Sequence, residues 1–211
     1  MNIRAIVPDT ASEVLPSALF SSPHAQPVSF FAAGAEIYGQ GEQAAFLYRV
    51  EFGAVRVYRL LADGRRQISA FHLAGEVFGF DSDGAHHFFA EAICATGVKA
   101  IRRSAQTAFS QDLLRLALSG LVRAQEHLLL LGLQTAPQRV AAFLLAMDER
   151  QGGSRLVELP MSRADIGDFL GLTIETVSRV FTKLRTSGII ILTSARTVEI
   201  RDFRTLHALS E

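Results

Sequence analysis

Apolar and polar positions change their period twice along the chain. From Val28 to about Arg103 the apolar runs are short, and glycines recur between them at 34, 39, 41, 53, 64, 75 and 79. Val55 and Val57 alternate with Arg56 and Tyr58, the period-two pattern of a half-buried strand. Asp63-Gly64 is a strong hairpin turn, with Ile68, Ala70 and Phe71 on the return strand. Short strands with frequent turns predict a small β-barrel or jelly roll, which either encloses a ligand or is simply a packed module. From about Thr107 to Gln134 the period becomes helical. Leu113, Leu116, Ala117, Gly120, Ala124, His127, Leu128 and Leu131 form one stripe that no proline interrupts. Such a stripe suits a coiled-coil seam with a second copy, and it equally suits packing on the chain's own barrel. The small residues Ala117, Gly120 and Ala124 would admit a partner helix closely, with Leu121 beside them.

Thr135-Ala136-Pro137 breaks that helix, and Pro137 suits the first turn of the next. Val140, Phe143, Leu144 and Met147 give the new helix its apolar face, and Gly152-Gly153 ends it. The stretch from Ser162 to Ser187 then reads as two helices around a tight turn. Ser162 is a good N-cap, with Asp165 placed to return a capping-box bond. Ile166, Phe169 and Leu170 share one face, Gly171 ends the first helix, Leu172 buries the turn and Thr173 caps the second. Val177, Val180, Phe181 and Leu184 form the inner face of that second helix, which Gly188 ends. Glu175, Thr176, Ser178, Arg179 and Lys183 remain as polar candidates for contact. Ile189 to Leu192 and Thr197 to Ile200 read as a hairpin wing.

A helix–turn–helix with a glycine turn and a partly basic second helix is the pattern of a DNA reader, although an ordinary helical hairpin with a solvated face shares its spacing. Glu175 can accept from cytosine N4, Arg179 can bond guanine or phosphate, and Ser178 can reach base or backbone. Ser162, Thr173, Thr176 and Lys183 complete the candidate DNA contacts. Net charge is +0, so no global field draws the chain to nucleic acid. Between Thr173 and Arg204, however, six basic residues face three acidic ones, a local bias toward phosphate.

The 211 residues allow one large domain or two modest ones, and 49% hydrophobic content supports a real core. We expect an N-terminal arm over residues 1–28, which holds four of the six prolines, a β-roll over 29–106, the long helix over 107–135 and a winged helix–turn–helix over 136–211. The fold class is α+β. One cysteine, Cys94, permits no intramolecular disulfide and no cysteine-based cluster; its apolar surroundings favour a buried packing role over a redox one. No segment has the length of a signal peptide core or a membrane span, so a soluble, cytoplasmic chain with no membrane partner is expected. His72, His86 and His87 are read as polar surface-loop residues rather than metal ligands, because adjacent side chains in an extended segment point apart. Arg102-Arg103 is read as a solvated end of the roll.

In that order, roll, long helix and winged reader, the chain resembles the CRP/FNR superfamily of bacterial transcription regulators. The likeness is strongest in DIGDFLGLTIETVSR (Asp165 to Arg179) and PQRVAAFLL (Pro137 to Leu145). Glu175, Ser178 and Arg179 match the signature of the FNR-type branch, GFDSDGAHHFFAEAI (Gly79 to Ile93) is similar to it, and the FixK group is nearest. The resemblance implies a homodimer paired through Leu113, Ala117, Gly120, Leu121, Ala124, His127, Leu128 and Leu131. It implies double-stranded DNA with TTGAT-like inverted repeats, activation through RNA polymerase, and genes of low-oxygen or nitrogen metabolism. FNR-type oxygen sensors hold an iron–sulfur cluster on four cysteines; one cysteine excludes that ligand set. Cyclic-AMP receptors use Gly-Glu and then Arg-Ser. Gly75-Glu76 is present, but His86-His87 stands where Arg-Ser would, so the phosphate clamp is missing. No cofactor and no metal is therefore expected. Two rivals remain: a sensor with an effector in the roll, and an enzyme on a cupin-like roll drawing on His72, Glu76, His86 and Glu91.

Overall fold

The computed structural model describes residues 25–102, 111–133 and 135–211. Most of the expected arm, the first turn of the long helix from Thr107, and Arg103 lie outside the described residues. Eight strands come first among the described residues: β1 (Ala25–Phe31), β2 (Glu36–Tyr38), β3 (Phe46–Phe52), β4 (Ala54–Leu60), β5 (Arg66–Leu73), β6 (Val77–Phe78), β7 (Phe89–Ala92) and β8 (Thr96–Arg102). They form two four-stranded antiparallel sheets, ordered β1-β8-β3-β6 and β2-β7-β4-β5. The β-roll expected from the strand and turn pattern is thus present. Its core is Tyr38, Val50, Val55, Val57, Phe78, Ala90 and Val98. β1 begins inside the expected arm and carries Pro27, which an edge strand tolerates.

Among the described residues five helices and three strands follow: α1 (Gln111–Leu133), α2 (Ala136–Arg150), β9 (Leu156–Glu158), α3 (Arg163–Leu170), α4 (Ile174–Thr186), β10 (Ile190–Leu192), β11 (Thr197–Ile200) and α5 (Phe203–Ser210). Thr135 opens α2, with its backbone N–H and hydroxyl both donating to Gln138 Oε1. The wing has a third strand beyond the expected hairpin. β9 pairs with β11, Val157 opposite Val198, giving the order β10-β11-β9. The C-terminal α5 was also unexpected; Asp202 caps it and Leu206 is fully buried.

The two units share one core. Ile68 and Phe71 of β5 are buried among Phe143, Leu144, Ile166 and Leu170 of the helical unit. Phe71 lies 5.1 Å, centroid to centroid, from Phe169 and 6.3 Å from Phe143.

His86 and His72 depart from the surface-loop reading, whereas His87 follows it. His86 is buried, stacked on Tyr38 at 3.6 Å, with Nδ1 2.7 Å from Asp81 Oδ2. Its neighbour His87 is exposed and pairs with Asp83. The two rings do point apart, but inward and outward rather than both to solvent. His72 is largely buried against Phe78, and burial lowers its pKa to about 4. Cys94 is half-buried in the turn before β8, at the rim of a cleft of about 640 Å³ between roll and wing, rather than packed inside a strand. Arg102 is exposed, as a solvated end requires, and its guanidinium lies over Phe46.

Candidate nucleic-acid interface

The reader is built by local rules. Ser162 Oγ accepts from the Asp165 N–H at 3.1 Å, while Asp165 Oδ2 accepts from the Ser162 N–H at 3.0 Å. This reciprocal box starts α3 at the residue its sequence marks. Gly171 closes α3 in the left-handed region, φ +64°. Gly167 serves the turn in another way. A Cβ there would sit 2.6 Å from the Leu172 carbonyl oxygen, so glycine alone lets the turn fold back on α3. The role of Gly167 was not singled out from the sequence, because its φ is ordinary and the close approach is tertiary. Thr173 Oγ1 then accepts from the Thr176 N–H at 3.2 Å and starts α4.

In α4 the inner residues Val177, Val180, Phe181 and Leu184 are buried. Glu175, Ser178, Arg179 and Lys183 are exposed along the opposite face, Thr176 is half-buried beside its cap, and Ser162 and Thr173 are exposed at the two helix starts. The Glu175 carboxyl is held below the usual range by its own backbone N–H, the Thr173 hydroxyl and, more weakly, the Arg179 charge. At neutral pH it is an acceptor only. Behind the helix, the Arg163 guanidinium lies 3.2 Å over the Phe181 ring, and burial lowers its pKa to about 10. The wing loop, with Arg196 exposed, is held by Ser194, whose hydroxyl donates to Thr197 and accepts from the Arg196 N–H.

The stripe expected along α1 divides between two faces. Leu113 and Leu116 pack on Leu47, Val77 and Ile101 of the roll. His127 turns to its own reader: its ring stacks parallel on Phe169 at 3.8 Å, and Nε2–H donates to the Phe169 carbonyl at 2.7 Å. Burial outweighs that bond and lowers the His127 pKa. Leu131 is half-buried beside Gly171, and Ala117 and Gly120 are half-buried. Leu121, Ala124 and Leu128 are exposed. With them, Leu114, Leu118, Val122 and Leu129 form the exposed apolar face. These four were missed from the sequence, although two of them, Leu114 and Leu118, share a heptad phase with Leu121 and Leu128, which were read there.

Of the residues of the enzyme reading only His72 and Glu76 meet, Nδ1 to Oε2 at 3.7 Å, and the four form no single cluster. Glu76 pairs with Arg150, Glu91 with Arg56 and His86 with Asp81. Glu76 also accepts from the Leu73 N–H, so both its oxygens serve the fold. Among the described residues no three His, Cys, Asp or Glu side chains are grouped to hold a metal ion. Among the same residues no helix is long and apolar enough to cross a membrane.

An exposed, partly basic second helix in a winged helix–turn–helix, carried on a β-roll, defines a DNA-binding transcription regulator. Residues 138–209 match the Crp-like helix-turn-helix domain, and residues 28–110 match the cyclic nucleotide-binding domain. The chain is 53% identical over 182 residues to the nitrogen fixation regulation protein FixK of Rhizobium meliloti, covering 86% of each. It is 44% identical over 191 residues to FixK of Azorhizobium caulinodans, covering 85% of this chain and 77% of that protein. The structure of FixK2 from Bradyrhizobium japonicum superposes with a TM-score of 0.82 at 45% identity, over 88% of this chain and 97% of that one. The chain belongs to the CRP/FNR family, among the FixK proteins, a family of transcription regulators rather than enzymes.

Proposed function

We propose that two copies pair through the exposed face of α1 and read an inverted repeat of TTGAT-like half-sites, activating transcription through contact with RNA polymerase in the cytoplasm. The observation that carries the reading is the free outer face of α4, where Glu175, Ser178 and Arg179 stand together with no intramolecular covering. The heptad of exposed leucines supports pairing, since a monomer rarely leaves so long an apolar stripe in water. Two-fold pairing presents two α4 helices to successive major grooves, which is why the operator is an inverted repeat. The names of the FixK relatives support genes of nitrogen fixation as targets. One cysteine supports independence from a four-cysteine cluster. Glu76, engaged by Arg150, and the histidines at 86 and 87 support independence from cyclic AMP.

Selection of binding sites from random duplexes, in air and without added effector, tests the whole reading. The expected product is an inverted repeat with a G·C pair in each half-site. Recovery of no common sequence, or binding that requires cyclic AMP, overturns it. A second reading rests on a cavity of about 370 Å³ in the roll, bordered by Tyr38, Ser69, His72 and Asp81. If it holds an effector, native mass spectrometry of the purified protein shows a bound small molecule.

A further inference from the structure

Asp165 and Asp168 lie on α3, behind the recognition helix, and the roll grips both. Arg66 Nη2 donates to Asp165 Oδ1 at 2.6 Å and to Asp168 Oδ2 at 2.8 Å, and its Nε donates to the same Asp168 oxygen at 2.9 Å. Arg56 Nη1 donates to Asp165 Oδ1 at 3.0 Å, and Gln67 Nε2 donates to the Asp168 carbonyl at 2.7 Å. The Asp165 side chain is 4% exposed, with its second oxygen taken by Ser162. A polar side chain so enclosed needs hydrogen-bond partners for both its oxygens, and here both have them. Arg56 stands on β4, Arg66 and Gln67 on β5, adjacent strands of one sheet, so the donors share a rigid base. None of these bonds touches the outer face of α4, which stays exposed.

We propose that Arg56, Arg66 and Gln67 are positioning residues: a strut that fixes the angle at which each protomer presents its recognition helix, and so sets the half-site spacing that a pair accepts. The network holds the reader from behind and leaves it open, so it pre-organises binding rather than masking it. A reader released from the roll would occupy the productive angle only part of the time, and apparent affinity falls by that fraction. The inference rests on the paired, inverted-repeat reading.

Full-length Asp168→Asn, Arg66→Gln and the double variant test it. On an inverted repeat at the selected spacing, each single variant loses affinity about three- to tenfold, and the double loses little more than either. On a duplex with one half-site, none of the three variants differs from wild type. Across inverted repeats of stepped spacing, the variants discriminate less than wild type does. Asp168→Asn is the decisive arm, because it removes a negative charge from a DNA-binding unit and charge alone would tighten binding. Unchanged or tighter binding of Asp168→Asn to the inverted repeat overturns the strut. So does an equal loss on the single half-site, which would mean that the network only maintains α3. If wild type itself ignores the second half-site, the pairing reading has failed; amide exchange in β5 then decides. Faster exchange at Ile68–Phe71 in the variants supports the strut, and unchanged exchange overturns it.

Discussion

Arg179 and Glu175 stand four residues apart on the open face of α4, one a donor and the other a carboxyl held below its usual range, so on the proposed reading they would supply the donor and the acceptor of a base-pair readout. Replacing Arg179 by Ala is expected to cost about 1–3 kcal/mol per half-site and to relax preference at one position of that half-site. Competition binding against operators changed base by base checks this; an equal loss for every sequence would assign Arg179 to phosphate. A second prediction at this scale concerns His72, whose folded pKa of about 4 lies below the roughly 6.5 of an unfolded histidine. Between those values the unfolded chain binds the extra proton, so stability is complete above about pH 6.5 and falls as pH drops toward 4. His72→Gln should flatten that part of a melting-temperature profile; a profile of unchanged slope would remove His72 from the account. Single residues were legible where a local rule governs them: Ser162, Asp165, Gly171 and Thr173 all serve as their types and spacing predict. His86 was not, because its burial depends on Tyr38 and Asp81 meeting it from other parts of the roll.

Elements were legible in proportion to their length and period. α1, α2 and the two reader helices carry stripes that need no tertiary information, whereas β9 buries only Val157 of its three residues and α5 only Leu206 of its eight. A single buried position has no period, so neither element could be read from pattern alone. α1 shows the other limit. Its apolar residues exceed one face, and the sequence did not reveal which face the roll would take: Leu113, Leu116 and His127 turn inward, leaving Leu114, Leu118, Leu121 and Leu128 outside. The pairing prediction belongs to that outer face. Leu121→Asp places two carboxylates across a two-fold seam, where exclusion of water strengthens their repulsion. Sedimentation should show a wild-type dimer at micromolar concentration without ligand, and a shift toward monomer for the variant. A variant that stays fully dimeric would move the interface elsewhere. Operator affinity should fall with pairing, since the second half-site contact is no longer intramolecular.

At the scale of the whole molecule, the division into roll and reader was legible from the change of hydrophobic period, but their union was not. The residues that join them, Ile68 and Phe71, read in sequence only as apolar residues of the return strand. In the structure they bury against the other unit, and Phe71 meets Phe143 and Phe169 while His127 stacks on Phe169. Two units with a continuous apolar core and a charged rim exchange the same water-exposed surface on separation, so neither can unfold without uncovering the other. The chain should therefore melt in one calorimetric transition at a given protein concentration, with calorimetric and van't Hoff enthalpies agreeing per cooperative unit. Phe71→Ala removes the ring shared by both sides at a cost of about 3–5 kcal/mol. Because that loss falls on the junction, it should split the transition in two, with the winged unit keeping its helical signal after the roll's has gone, or the reverse. Two transitions already in the wild type, or one undivided transition in a destabilised Phe71→Ala, would show that Phe71 stabilises one unit and does not couple the pair.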